Sequence, residues 1–200
     1  DKVPEILAQL GFSVDILQEK DLNLQNLKQY KAVICGIRAH NIHEWLTNKN
    51  NIINDYINAG GNFIVQYLRS GLVGNKKIAV GPFNFTVNSS SRVTEENAKV
   101  TLVLPNHSVF NFPNKIDSAD FDNWVQERST YQADKLDAAF VSPIQMNDTS
   151  EKSSTGSLII APYGKGNMVY LSLAMFRQLP AGVNGAIKLM ANIISLPNNK

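Results

Sequence analysis

Arg38, His40, Gln66 and Tyr67 are the side chains whose types and placement could do chemistry together, because each pair stands just past an apolar run, Ala32–Cys35 for the first and Phe63–Val65 for the second. A guanidinium holds a carboxylate in a fork, an amide bridges hydroxyls, and an aromatic ring covers the apolar face of a sugar. The set therefore suits a hydroxyl-rich or carboxylate ligand. Two later segments add to it. Gln126-Glu-Arg128 follows Trp124, and Arg177-Gln178 follows the last apolar run, so Glu127, Arg128 and Arg177 join the candidate ligand-binding residues. The Glu127-Arg128 neighbours also read as a salt-bridged brace of their own loop.

Covalent catalysis is poorly served by the same positions. A Cys or Ser hydrolase on a parallel sheet needs its nucleophile on the sharp turn after a strand, with a His in hydrogen-bond reach. After Phe63–Val65 come Gln66, Tyr67 and Leu68, none of which attacks an acyl carbon as a thiolate does. Cys35, the only cysteine, lies inside an apolar run and reads as a small buried hydrophobe. No catalytic residue is assigned. His40, His43 and Glu44 could share a helical face and would be adequate zinc ligands, but His-Glu-x-x-His is absent and Asn41-Ile42 reads as a loop. Gly60-Gly61 precedes a strand instead of opening a helix, and Gly71 to Gly74 and Gly164 to Gly166 read as turns, so no phosphate cradle is present. Neither a metal nor a cofactor is expected.

These residues need a sheet to hold them. Pro4–Leu10 reads as a short helix stopped by Gly11, Phe12–Leu17 as an alternating strand, and Ala32–Cys35 as a strand covered on both faces. A helix is expected from about Asn48 to Ala59, with Ile52, Ile53, Tyr56 and Ile57 as its buried stripe and Gly60-Gly61 as its end. Strand, helix and strand in succession imply parallel crossovers, and ligands gather beyond the carboxyl ends of such strands. From Leu68 to Asp122 short apolar runs (Ile78–Val80, Phe83–Val87, Val100–Leu104) between Gly, Pro, Asn and Ser read as an insertion of small strands, while Asp120–Tyr131 has no clear period. Ser157–Ala161 and Met168–Leu173 are strands joined by a Gly-containing reversal, and Val183–Leu196 is a closing helix stopped by Pro197.

Composition narrows the partners. The chain has 200 residues, 44% of them hydrophobic, enough for one well-developed core. Nineteen Lys and Arg against seventeen Asp and Glu are scattered, not banked into a stripe, so no nucleic-acid partner is expected. No run approaches the roughly 18 apolar residues of a membrane span. A lone cysteine rules out an intrachain disulfide framework.

Tyr30-Lys-Ala-Val-Ile-Cys-Gly-Ile-Arg-Ala-His-Asn41, Ala59-Gly-Gly-Asn-Phe-Ile-Val-Gln-Tyr67, Val93-Thr-Glu-Glu-Asn-Ala98, Phe121-Asp-Asn-Trp-Val-Gln-Glu-Arg128 and Phe176-Arg-Gln-Leu-Pro-Ala-Gly-Val183 together resemble the domain carried C-terminal to zinc-dependent N-acetylglucosaminyl deacetylase domains of the PIG-L or LmbE type in large proteins of Bacteroidetes. The resemblance spans nearly the whole chain. More distantly, Tyr163-Gly-Lys-Gly166 is similar to the strand connection of trehalose-utilisation (ThuA-like) proteins. It implies a flavodoxin-like, class I glutamine amidotransferase-like α/β fold, a three-layer sandwich with a mostly parallel sheet and additional short antiparallel strands. Residues 1–200 would be a single such domain, a fragment of a larger chain.

In amidotransferases of this fold the elbow after the strand matching Phe63–Val65 bears the catalytic Cys, backed by His and Glu; here it falls near Tyr67, so that triad is absent. The His-Pro-Asp-Asp zinc motif of the deacetylases is absent too. The resemblance thus implies a non-catalytic accessory domain for carbohydrate recognition or interdomain packing, an N-terminal deacetylase domain as partner, and a periplasmic or secreted location. The alternative is a hydrolase or isomerase of a sugar derivative, with Glu127 as acid or base and Arg38 or Arg177 stabilising charge. The family pattern also places a strand before the helix near Val3, so a central strand of the sheet is expected to be missing here or supplied by another chain.

Overall fold

The computed structural model describes residues 1–199. Its central sheet contains Ala32–Cys35 (β1), Asn62–Gln66 (β2), Leu158–Tyr163 (β3) and Gly166–Leu171 (β4), in the order β1-β2-β4-β3. β1 and β4 both run parallel to β2, and β3 lies antiparallel to β4. The β3–β4 reversal turns on Gly164, whose φ of +55° is left-handed and whose missing side chain leaves room for the backbone of Asn58.

The α-helices among the described residues are Val3–Gln9 (α1), Leu24–Leu27 (α2), Ala39–Ile42 (α3), Glu44–Asn48 (α4), Asn50–Asn58 (α5), Met175–Gln178 (α6) and Asn184–Ile194 (α7). Successive strand residues point to opposite faces, and this alternation divides the core in two. Ile64, Val169 and Leu171 meet α1 through Leu7 and α7 through Leu189 and Ile193. Phe63, Val65, Met168 and Tyr170 face the other way, toward Ile53, Tyr56 and Ile57 of α5. The result is an α/β domain whose mostly parallel sheet is flanked by helices on both sides, in general terms the three-layer arrangement of flavodoxin-like folds. No helix among the described residues is long and apolar enough to cross a membrane.

Residues 67–157 carry four short antiparallel pairs: Leu72–Val73 with Lys76–Lys77, Thr86–Val87 with Ala133–Asp134, Arg92–Val93 with Ser129–Thr130, and Val100–Leu102 with Ile144–Met146. The expected insertion is therefore present, with shorter strands than its apolar runs suggest. Ile78–Val80 is not a strand; Ile78 and Val80 are buried as separate side chains. Of Phe83–Val87 only Thr86 and Val87 pair, since Phe83 and Phe85 pack edge-on against Phe140 at 6.1 and 5.8 Å and fix the segment without a ladder.

Other boundaries also move. The single helix expected over Asn48–Ala59 is interrupted at Lys49, which separates α4 from α5. Asn41-Ile42, read as loop, closes α3. Asp120–Tyr131 resolves into the end of a 3₁₀ turn (Ser118–Phe121), a loop with left-handed Asn123, Gln126 and Tyr131, and the Ser129–Thr130 pair. Phe12–Leu17 joins no ladder, and from Ser13 to Leu17 no backbone group bonds to another. Its alternating pattern is that of a strand, but no strand lies beside it.

At the opposite end of β2, the fully buried Asn62 ties the sheet to the end of α7. Its amide donates to the carbonyls of Ile194 at 3.1 Å and Leu196 at 3.0 Å, while its oxygen accepts from Asn167 Nδ2 at 2.9 Å. The last carbonyls of a helix have no partner within it, so this one side chain satisfies groups that burial would otherwise leave orphaned. Asn62→Ala is expected to lower unfolding stability by about 1–3 kcal/mol, read from urea denaturation midpoints; an unchanged midpoint would show that water replaces the amide.

Candidate functional site

The carboxyl ends of β1, β2 and β4 meet at one edge of the sheet. After β1 the chain turns through Arg38 in the left-handed region (φ 60°, ψ 13°) to start α3, and the Arg38 N–H donates to the Tyr67 carbonyl at 2.9 Å. After β2, the Leu68 N–H donates to the hydroxyl of Tyr170 at 3.1 Å, and that hydroxyl donates in turn to the Tyr131 carbonyl at 2.7 Å. Tyr170 stands on β4 with no exposed surface. Its one oxygen thereby joins the end of β2 to the insertion.

This bridge brings the rings of Tyr67 and Tyr131 together, stacked at 5.3 Å with 21° between their planes. Phe176 of α6 leans on Tyr67 at 5.6 Å, and the Arg177 guanidinium lies 5.1 Å from the centre of the Phe176 ring. Arg177 Nε donates to Glu127 Oε1 at 3.1 Å. Burial raises the pKa of the Tyr67 phenol, while Arg38 and Arg177 pull it down and Tyr131 and Glu127 push it further up. The structure thus gathers Arg38, Tyr67, Glu127 and Arg177 around one aromatic platform, and adds Tyr131 and Phe176.

Gln66 is set apart from that platform. It is buried, its Nε2 lies 3.4 Å from Asp1 Oδ2, and its Oε1 has no partner. Asp1 Oδ2 also accepts from the Ile37 N–H at 3.1 Å, which pins the start of the chain at the end of β1. Next to this contact opens a crevice of about 510 Å³ bordered by Asp1, Ile37, Gln126, Phe176, Arg177 and Pro180. Its size is within the roughly 300–1,000 Å³ typical of small-ligand sites. Phe176 and Arg177 belong to both the crevice and the platform, so the two form a continuous surface.

His40 and Arg128 lie beneath the surface. The His40 ring is fully buried, edge-on to Phe63 at 6.1 Å, with neither nitrogen partnered, and burial lowers its pKa to about 4. Arg128 is 3% exposed; its guanidinium lies over Trp124 at 5.8 Å and donates to the Phe121 carbonyl, so it braces the Phe121–Trp124 loop from inside. His43 tilts against Trp45 and Glu44 pairs with Lys76, so the His40, His43 and Glu44 set does not converge. Among the described residues no three His, Cys, Asp or Glu gather.

The edge offers recognition chemistry. Aromatic faces bury apolar sugar or ring surface, while Arg38 and the Arg177–Glu127 pair present donors and acceptors beside them. Cys35 is not at this edge in reactive form, because burial pushes its thiol up to about 12 and a thiol is a poor nucleophile beside its thiolate. Tyr131 escaped the sequence reading because its segment has no periodicity and its position depends on a left-handed backbone (φ 55°). Phe176 was visible only as a neighbour of Arg177.

No protein-family model and no curated protein matches the sequence. Among solved structures, the fold is similar to a cytoplasmic protein of Salmonella typhimurium (TM-score 0.62, 14% identity, 98% of this chain and 85% of that one). It is similar also to a protein described as ThuA-like from Bacteroides uniformis (TM-score 0.62, 12% identity, 96% and 83%). The cold-adapted β-galactosidase of Rahnella sp. R3 contains a comparable unit (TM-score 0.58, 16% identity), with 96% of this chain matching 26% of that enzyme. At such identities the likeness is one of fold: this chain shares an α/β architecture with ThuA-like and other proteins.

The buried His40 gives the domain a pH signature. The unfolded chain protonates it near 6.5, the folded chain only near 4, so between these values the unfolded state binds more protons. Stability is expected to fall on acidification through that window and to show no pH dependence from His40 above it. Urea midpoints measured from pH 7.5 to 4 should decline less steeply in His40→Leu than in the parent; parallel declines would contradict the assignment.

Proposed function

We propose that this chain is a non-catalytic accessory domain that recognises carbohydrate at the Tyr67–Tyr131 platform, serving an attached zinc-dependent N-acetylglucosaminyl deacetylase in a periplasmic or secreted protein. One observation carries the recognition reading: the strand end that bears a nucleophile in amidotransferases of this fold holds Tyr67, stacked on Tyr131 and ringed by Arg38, Arg177 and Glu127. Tyr67 is only 9% exposed, so the half-buried rings of Tyr131 and Phe176 packed on it supply the aromatic surface that a ligand would meet; with charged hydrogen-bonding groups at its rim, such a surface fits a sugar ring, whose two faces are apolar and whose edge is hydroxyls. The sequence motifs supply the deacetylase context. The match to about a quarter of a β-galactosidase supports an accessory place for such a unit within longer sugar-processing chains.

Packing against the attached domain is a second role, favoured by Ile42 and Leu72, which are 62% and 50% exposed and adjoin through Asn41, whose amide donates to the Leu72 carbonyl at 2.9 Å. The hydrolase or isomerase alternative has less support, because the Glu127 carboxylate it needs as acid or base is occupied by Arg177 Nε.

An array of N-acetylglucosamine-containing oligosaccharides, followed by calorimetry on the best binder, tests the reading. Tyr67→Ala and Arg38→Ala, confirmed as folded, are expected to weaken binding roughly tenfold, about 1.4 kcal/mol, with Ile42→Ala unaffected. No sugar bound at millimolar concentration, equal affinity in all variants, or glutamine hydrolysis by the chain would overturn it.

A further inference from the structure

The charges around the Tyr67 edge do not balance. Arg177 gives only its Nε to Glu127, at 3.1 Å, and its side chain is 37% exposed. The two Nη groups of that guanidinium therefore keep their donors free. Arg38 is exposed, and among the described residues no carboxylate pairs with it. Its place is set by backbone alone, through the left-handed φ of 60° and the N–H given to the Tyr67 carbonyl at 2.9 Å. Burial above all keeps the Tyr67 phenol protonated; of the ionic groups that act on it, two are guanidiniums, Arg38 and Arg177, and one is the Glu127 carboxylate. The whole chain carries 19 Lys and Arg against 17 Asp and Glu, so this excess of positive charge is local.

The unbalanced cations adjoin the aromatic surface. Arg177 Cζ lies 5.1 Å from the centre of the Phe176 ring, which leans on Tyr67 at 5.6 Å. Beside Phe176 and Arg177 opens the crevice of about 510 Å³. A ligand that covers the rings and also meets the guanidiniums must carry negative charge on the edge of its own ring. A carboxylate bonded directly to a sugar ring does this, and its two oxygens match the paired donors of a guanidinium. A sulfate or phosphate ester is set further out by its bridging oxygen.

We propose that this edge selects acidic saccharides, holding the ring carboxylate of a hexuronate between Arg38 and the Nη groups of Arg177 while the sugar ring lies on Tyr131 and Phe176. The proposal rests on the carbohydrate reading and names the class of sugar. Glu127 has a positioning role, since its hold on Nε orients the Arg177 fork. A saccharide in which hexuronate alternates with N-acetylglucosamine meets this requirement and the context of an N-acetylglucosaminyl deacetylase together.

The test is calorimetry on the chain with three tetrasaccharides: glucuronate alternating with N-acetylglucosamine, the same sugar after its carboxylates are reduced to alcohols, and that reduced form bearing sulfate esters instead. The first is expected to bind at least about tenfold tighter than the other two. Raising NaCl from about 20 to about 300 mM should remove most of that preference, because exposed charges are screened. Arg38→Gln keeps a hydrogen-bonding head without the charge and is expected to cut the preference to about threefold or less. Arg69→Gln removes an exposed cation that follows the same strand end, where its N–H donates to Asn41 Oδ1 at 2.8 Å, and is expected to leave the preference intact. Equal binding of the acidic and reduced sugars leaves carbohydrate recognition standing and overturns the acidic preference. Equal binding of the sulfated sugar, or an equal loss in Arg69→Gln, assigns the effect to net charge and overturns it as well. No binding of any of the three overturns both. Should Arg38→Gln fail to fold, the salt titration of the parent chain decides, and a preference unchanged at high salt overturns the proposal.

Discussion

One hydroxyl group holds the functional edge of this domain together. Tyr170 Oη accepts from the Leu68 N–H and donates to the Tyr131 carbonyl, and in doing so fixes how the end of β2 sits against an insertion that approaches from far along the sequence. Burial drives the Tyr170 phenol well above its ordinary pKa, more than the hydrogen bond from Leu68 lowers it, so the group stays a neutral donor at physiological pH. A buried hydroxyl with both partners satisfied is rigid, and losing it would orphan two backbone groups together. Tyr67 and Tyr131 inherit that rigidity, and the platform exists because of it.

Around this anchor the edge presents aromatic rings and charged side chains. The one thiol is buried and protonated, and His40 is neutral beneath the surface. The Arg177–Glu127 pair, with side chains 37% and 25% exposed, is worth little as stability; its effect is to hold a guanidinium and a carboxylate in fixed orientation beside Phe176. Stability comes instead from the two apolar faces of the sheet and from buried amides such as Asn62 and Gln178, the latter exchanging bonds with both backbone groups of Val125 at 2.8 Å. That clamp sets the loop from which Glu127 reaches Arg177.

The sheet was legible in the sequence wherever apolar period and glycine punctuation agreed: β1, β2, the β3–β4 hairpin and α7 all fall where those patterns place them. Phe12–Leu17 shows the limit of pattern, because alternation reports two different faces but cannot report whether a neighbour is there to pair. Glu127 and Arg128 show another. They are adjacent in sequence, yet one pairs with Arg177 beside the platform and the other is 3% exposed against Trp124, a difference set by the fold of a loop with left-handed Gln126 and Tyr131. Tyr131 itself carried no signal at all, since its position is set by Tyr170, 39 residues further on, and by the ring of Tyr67 stacked against it.

The most direct measurement of whether this edge binds sugar is a titration of the chain with tri-N-acetylchitotriose while the tyrosine and phenylalanine ring resonances are followed by NMR. Shifts concentrated on Tyr67, Tyr131 and Phe176, and saturating with a single affinity, are the expected result. Unmoved rings up to millimolar sugar, or shifts centred on rings remote from this edge, would contradict it.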